Sequence, residues 1–231
     1  MILEVNATTL TDAVLAEQGG ANRIELITGF AEGGLTPSQG LIEEVVGSVH
    51  IPVQVMIRPH SQSITYNEAD IRTMLADIRV VKKAGARGIV MAALTDANQI
   101  DIDTTKRLLT EAEGLDVTFH RAFDEVDNQI EALQILSRFP QIRRVLTSGG
   151  TAPAPQAMPH IRRLVEASRH CRMEILAGHG LAREGLEPFI EHTGVREVHF
   201  GSAVRQNGKS TAPVDIERVA AIQQILTSYH E

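Results

Sequence analysis

The 231 residues are 43% hydrophobic, enough to build one large core or two small ones, and no apolar run approaches the ~20 residues of a membrane span. A net charge of -7 with the signs intermixed, 3% aromatic content and no tryptophan argue against a nucleic-acid surface or a base-stacking platform. The single cysteine, Cys171, excludes an internal disulfide and fits a reducing cytoplasm.

Strand-like and helix-like segments alternate along the whole chain. Ile2 to Asn6 reads as a first strand, with no basic region ahead of it that would mark a signal peptide. Leu10 to Gln18 has helical spacing, with Thr9 or Thr11 as its cap. A second strand follows at Arg23 to Ile27. The second helix is expected over Pro37 to Val46, with Thr36 capping and Pro37 in the first helical position. Pro52 to Ile57 is the third strand. Asn67 then caps a long helix, with Asp70 in its first turn and Ile71, Leu75 and Ile78 on one face. The remaining strands fall at Gly88 to Leu94, Leu115 to His120, Arg144 to Thr147, Met173 to Ala177 and Glu197 to Phe200. The helices between and after them fall at about Asp103 to Glu113, Asn128 to Ser137, Pro159 to Ser168, Arg183 to His192 and Val214 to Ser228.

Eight strand-helix units at a mean period of about 29 residues predict a single-domain (β/α)₈ TIM barrel spanning residues 1–231. A repeat supports the count: Gly20-Ala21-Asn22, Gly85-Ala86-Arg87 and Gly194-Val195-Arg196 each place a glycine where a helix should end, just before a strand. A doubly wound open sheet is the rival, but its Gly-rich nucleotide turn is absent after the first strand.

Alternation then sorts the side chains. Glu4 with Asn6, Arg23 with Glu25, Gln54 with Met56 and Arg58, and Thr118 with His120 each share a strand face. Inward faces would bring Glu4, Glu25, Arg58 and His120 to one barrel mouth, where buried carboxylates need cations; Arg58 and Arg121 are the expected partners. The bland reading is a salt-bridge network that only fixes the interior. The functional reading is a site that uses it, centred on Thr118-Phe119-His120-Arg121-Ala122-Phe123-Asp124, where a strand ends in imidazole, guanidinium and carboxylate. Loops after strands six to eight present Ser148, Gly149, Gly178, His179, Gly180, Gly201 and Ser202, where this fold often holds a phosphate. His120, His179 and His199 lie at or near strand ends and could hold a divalent ion, although no His-x-x-x-His or Cys-x-x-Cys spacing occurs. His50, His160, His170, His192 and His230 read as surface groups, and Cys171 as a packed or surface thiol at the opposite end.

Glu4, Asn22-Arg23-Ile24-Glu25-Leu26, Glu32-Gly33-Gly34-Leu35-Thr36-Pro37-Ser38, Ile57-Arg58-Pro59, the string through Asp124, Val145-Leu146-Thr147-Ser148-Gly149 and Glu197-Val198-His199 together resemble the CutC family of copper homeostasis proteins. The resemblance implies a cytosolic (β/α)₈ barrel, often a homodimer, linked to copper tolerance, and brings no established reaction or cofactor. Several members carry cysteine where this chain has Asn6 and Ile27; those thiols are the proposed copper(I) ligands, and soft thiolate suits that ion. Two expectations follow. One is copper handling without turnover. The other is an enzyme acting on a small anionic or phosphorylated molecule, with His120 as general acid or base, Glu4 or Glu25 orienting it or moving a proton, Asp124 in the same cluster, and Arg58 and Arg121 clamping the anion.

Overall fold

A computed structural model describes residues 1–229. Its eight strands are β1 (Ile2–Ala7), β2 (Arg23–Leu26), β3 (Val53–Met56), β4 (Gly88–Met91), β5 (Asp116–Phe119), β6 (Ile142–Thr147), β7 (Glu174–Ala177) and β8 (Glu197–Phe200). They pair in parallel, in sequence order, and β8 returns to β1 to close the barrel. The helices are α1 (Leu10–Gln18), α2 (Gln39–Ser48), α3 (Glu68–Ala84), α4 (Ile102–Glu111), α5 (Gln129–Leu136), α6 (Met158–Ser168), α7 (Leu186–Thr193) and α8 (Ile216–Thr227). The open-sheet alternative is therefore excluded. His230 lies outside the described residues.

Local chemistry accounts for the element ends. Thr9 caps α1, accepting from the Asp12 N–H, and Asn67 and Asp70 form a reciprocal capping box on α3. The buried stripe of α3 runs through Ile71, Met74, Ile78 and Val81, with Leu75 only half-buried. α2 starts two residues later than its Pro suggests, because Ser38 and not Thr36 is the cap. Thr36 is held instead by the third strand's exit: its N–H donates to the Arg58 carbonyl and its hydroxyl accepts from the Arg58 N–H. The repeated glycines Gly20, Gly85 and Gly194 all have positive φ just past a helix, as their spacing predicts.

The outward strand faces carry the apolar core. Leu3, Val5, Ile24, Leu26, Val53, Val55, Ile89, Val117, Phe119, Val145, Ile175 and Val198 pack with the helices in one continuous cluster. The inward faces are unusual for this architecture, whose interior is generally filled by branched apolar layers. Here the floor is ionic. Arg23 donates through Nε to Glu4 and through Nη2 to Glu197 at 2.5 Å. Arg144 donates to Glu197 at 3.2 Å and to the Thr118 hydroxyl at 3.2 Å. Gln54 fills the space beside them, and Gly88 makes room for it: a Cβ on Gly88 would lie 2.2 Å from both Gln54 Oε1 and the Asp116 carbonyl. All five ionic and hydroxyl partners are buried, so an interior ionic network exists as expected, but it lies below the mouth and has Arg23 and Arg144 as its cations in place of Arg58 and Arg121.

Candidate functional site

Above that floor, at the C-terminal ends of the strands, lies a cavity of about 830 Å³. One part of its wall is apolar, built from Ile27, Phe30, Met56 and Leu146; the rest is lined by Asn6, Glu25, Arg58, His120, Arg121, Asp124, His179, His199 and Ser202, among others. Of the expected site residues, Glu4, Ser148, Gly149 and Gly178 do not line it. Glu4 is fully buried one layer below and reaches the cavity only through His199.

Register explains how β1, β2 and β8 meet. Glu4 pairs with Arg23 on one side and His199 on the other, and Asn6 pairs with Glu25. His199 Nδ1 lies 2.8 Å from Glu4 Oε1, and its Nε2 lies 3.8 Å from Glu25 Oε2. Burial opposes charge on Glu4, but Arg23 and His199 hold its carboxyl down at about 2. Burial has the opposite outcome for Glu25, which has no comparable ion pair; helped by the Glu4 charge, it rises to about 7 despite His199. The two carboxylates in turn raise His199 against its own burial. Glu25 Oε1 is buried and has no hydrogen-bond partner among the described residues.

His120 caps the short turn Arg121–Glu125: its Nδ1 accepts from the Ala122 N–H at 3.0 Å. The neutral ring therefore carries its proton on Nε2, which is buried and unpartnered. Burial, then Arg58 and Arg121, push its pKa down to about 3, so the ring is neutral at physiological pH. Arg58 donates through Nη1 to the carbonyls of Glu32 and Gly34, which fixes it over the loop after β2. Arg121 donates to Asp124 at 2.8 Å and to Ser148 at 3.3 Å.

Asp124, expected among the catalytic groups, is committed to architecture. Its carboxylate accepts from the Thr147 hydroxyl, the Ser148 N–H and hydroxyl, the Gly150 N–H and Arg121. It thereby holds the loop after β6 to the turn after β5. The next loop is locked in the same way: the Ala154 N–H donates to the His179 carbonyl, and a Cβ on Gly180 would meet Pro153 at 2.6 Å. His179 itself takes a positive φ of 71. The three histidines expected at the mouth do not form a cluster. The group whose ligand atoms lie within 4.8 Å of one another is Glu4, Glu25 and His199, and there Arg23 already neutralises Glu4.

On the far side of the mouth, fully buried Arg205 was not foreseen. It donates to Asp12 at 3.0 Å, to the Ala212 carbonyl at 2.7 Å and to the Asn6 carbonyl at 3.2 Å, and its guanidinium stacks on Phe30 at 5.2 Å. Its position in a loop, outside any strand alternation, hid it.

The CutC family model matches residues 1–204. The chain belongs to the CutC family. The human copper homeostasis protein cutC homolog is 42% identical over 208 residues, covering 90% of this chain and 76% of the relative. The Pasteurella multocida family protein CutC is 38% identical over 200 residues, covering 87% and 81%. The crystal structure of a CutC protein from Streptococcus agalactiae superposes with a TM-score of 0.82 at 32% identity, covering 86% of this chain and 97% of that one. A phosphoribosyl anthranilate isomerase from Thermococcus kodakaraensis shares the barrel alone, with a TM-score of 0.66 at 15% identity over 97% and 98% of the two chains. In this CutC-family chain, the cavity donors are carboxylate, imidazole, amide and one thioether, Met56, which packs with Ile27 and Val90. Cys171 precedes β7, at the barrel's other end, where its Sγ lies 3.6 Å from the Ala167 carbonyl of α6. That donor set does not fit copper(I), which prefers thiolate and thioether ligands.

Proposed function

We propose that this CutC-family barrel is an enzyme that binds a small anionic molecule in the cavity and moves a proton on it. The observation that carries the reading is Glu25: a carboxyl held near neutrality, with a free oxygen, in a cavity flanked by Arg58 and Arg121. His199 and Glu4 orient that carboxyl from below. Arg58, Arg121 and the backbone around His179, Gly180 and Ser202 attract the anion. Thermal shift against sugar phosphates, nucleotides and carboxylates is expected to give at least one hit. A ligand at 100 times its dissociation constant stabilises by about 2.7 kcal/mol. Arg58→Ala should abolish the shift while the barrel stays folded. If no anion shifts the melting temperature of the unsubstituted protein, the reading fails.

Copper handling is the second reading, supported by the family and the names of its members. Because Asn6 and Ile27 stand in the cavity where thiols are expected, titration against a copper(I) chelator under reducing conditions should show no tight site here. A stoichiometric site that survives Cys171→Ser and is lost on substitution of Glu25 or Asn6 would restore the copper reading. A cytoplasmic homodimer belongs to the same proposal, and fractionation with light scattering tests it.

A further inference from the structure

We infer that the cavity enolises an anionic α-hydroxy carbonyl compound of the sugar-phosphate class: Glu25 takes the proton next to the carbonyl, and His120 donates its Nε2–H to the carbonyl oxygen. This deepens the anion-binding reading above and rests on it.

Two buried side-chain atoms of opposite character, one acceptor and one donor, face one cavity without a partner among the described residues. Glu25 is 3% exposed and offers an acceptor, Oε1, that no group among the described residues uses. His120 is 7% exposed and offers a donor, Nε2–H, that no group among the described residues uses. A buried polar group left without a partner is costly, so an unpartnered acceptor and an unpartnered donor in one cavity point to a ligand that satisfies both. The tautomer is fixed by the Ala122 N–H on Nδ1, and the same bond caps the Arg121–Glu125 turn, so the donor is aimed by the backbone. Burial, with Arg58 and Arg121, opposes a second proton on the ring and keeps it a neutral donor, the form that polarises a carbonyl in known proton-abstracting barrels. The same two guanidiniums place the ligand's anionic group beside His120. Ile27, Phe30 and Met56 supply a dry wall for its carbon chain.

Acyl transfer would instead need a hydroxyl held by a base. Among the described residues, the cavity hydroxyls of Ser202 and Thr151 make no such bond.

The step balances without a redox partner or leaving group. The α-proton passes to the Glu25 carboxylate, the C–H electron pair becomes the C=C bond, and the carbonyl π pair moves to oxygen, where the His120 N–H stabilises it. The Glu25 carboxylic acid then returns the proton to carbon.

The test is exchange of the α C–H in deuterium oxide, followed by proton NMR, with dihydroxyacetone phosphate, ribulose 5-phosphate and fructose 6-phosphate. At least one is expected to exchange about 10²-fold or more above the protein-free rate. Glu25→Gln should abolish exchange while the same sugar phosphate still raises the melting temperature. His120→Ala should lower exchange about 10²-fold, and His120→Gln, whose amide can donate, should recover part of it. Binding without exchange for all three compounds overturns enolisation and leaves the anion reading standing. Exchange that persists in folded Glu25→Gln overturns the assignment of the base. If none of the three compounds binds while another anion does, enolisation of sugar phosphates is again overturned.

Discussion

Arg23→Met is expected to cost about 3–5 kcal/mol of folding stability at pH 7, the range for removing one partner of a buried ion pair. Arg23 is 5% exposed and serves two carboxylates, Glu4 and Glu197. Its loss leaves Glu4 with His199 alone and Glu197 with Arg144 alone, both carboxylates being buried. Total stabilities of domains are about 5–15 kcal/mol, so this one side chain would remove a large share. The pH dependence gives a second check. The native Glu4 carboxyl is held near 2, below its usual 4.5, so its contribution is complete above about 4.5 and is lost as pH falls through 2. The gap between native and Arg23→Met urea midpoints should therefore narrow from pH 5 toward pH 2. A midpoint change equivalent to less than about 1 kcal/mol at pH 7 would show that the floor tolerates unpaired charge, against expectation.

Glu25→Gln is expected to stabilise the protein, in the opposite pH window. The Glu25 carboxyl has its folded pKa raised from 4.5 to about 7. The stability of its protonated form is therefore present in full below about 4.5 and lost as pH rises through 7. The groups facing it are Glu4 on β1, Arg23 on its own strand and His199 on β8, with uncharged Asn6 and Gln54 paired beside it. A glutamine does not titrate, so the variant should gain up to about 3 kcal/mol at pH 8 and nearly nothing at pH 4. Denaturation curves at the two pH values decide it; an equal effect at both would mean that Glu25 does not carry a buried charge at pH 8. A gain of stability with loss of proton exchange would be the trade expected of a working group.

Much of this site was legible because strand alternation is. The shared faces of Glu4 with Asn6 and of Arg23 with Glu25 follow from two-residue periodicity, and the register sets Asn6 and Glu25 at the mouth with Glu4 and Arg23 one layer below. What alternation cannot give is reach. Arg58 and Arg121 follow their strands and turn toward loop carbonyls and Asp124, so they could not neutralise Glu4. The true cation, Arg23, was visible two residues before Glu25 on the same face. Asp124 shows the converse limit. Its charge in a strand-end motif signals chemistry, yet four donors from the end of β6 and the loop after it, with Arg121 three residues before it, consume it. Thr36 and Ser38 flank one proline, and only the Arg58 contact decides which of them starts the helix.

The seam between β1 and β8 is where the two ends of the chain must find each other, and Arg205 is the bolt across it. From just beyond β8 it grips the Asn6 carbonyl, Asp12 of α1 and the Phe30 ring, three groups made well over a hundred residues before it. A chain emerging from its N-terminus can stack β1 through β7 in order, but this part of the mouth cannot set until residue 205 has cleared the ribosome. This part of the cavity is thus assembled late, by a residue that touches three segments made well before it.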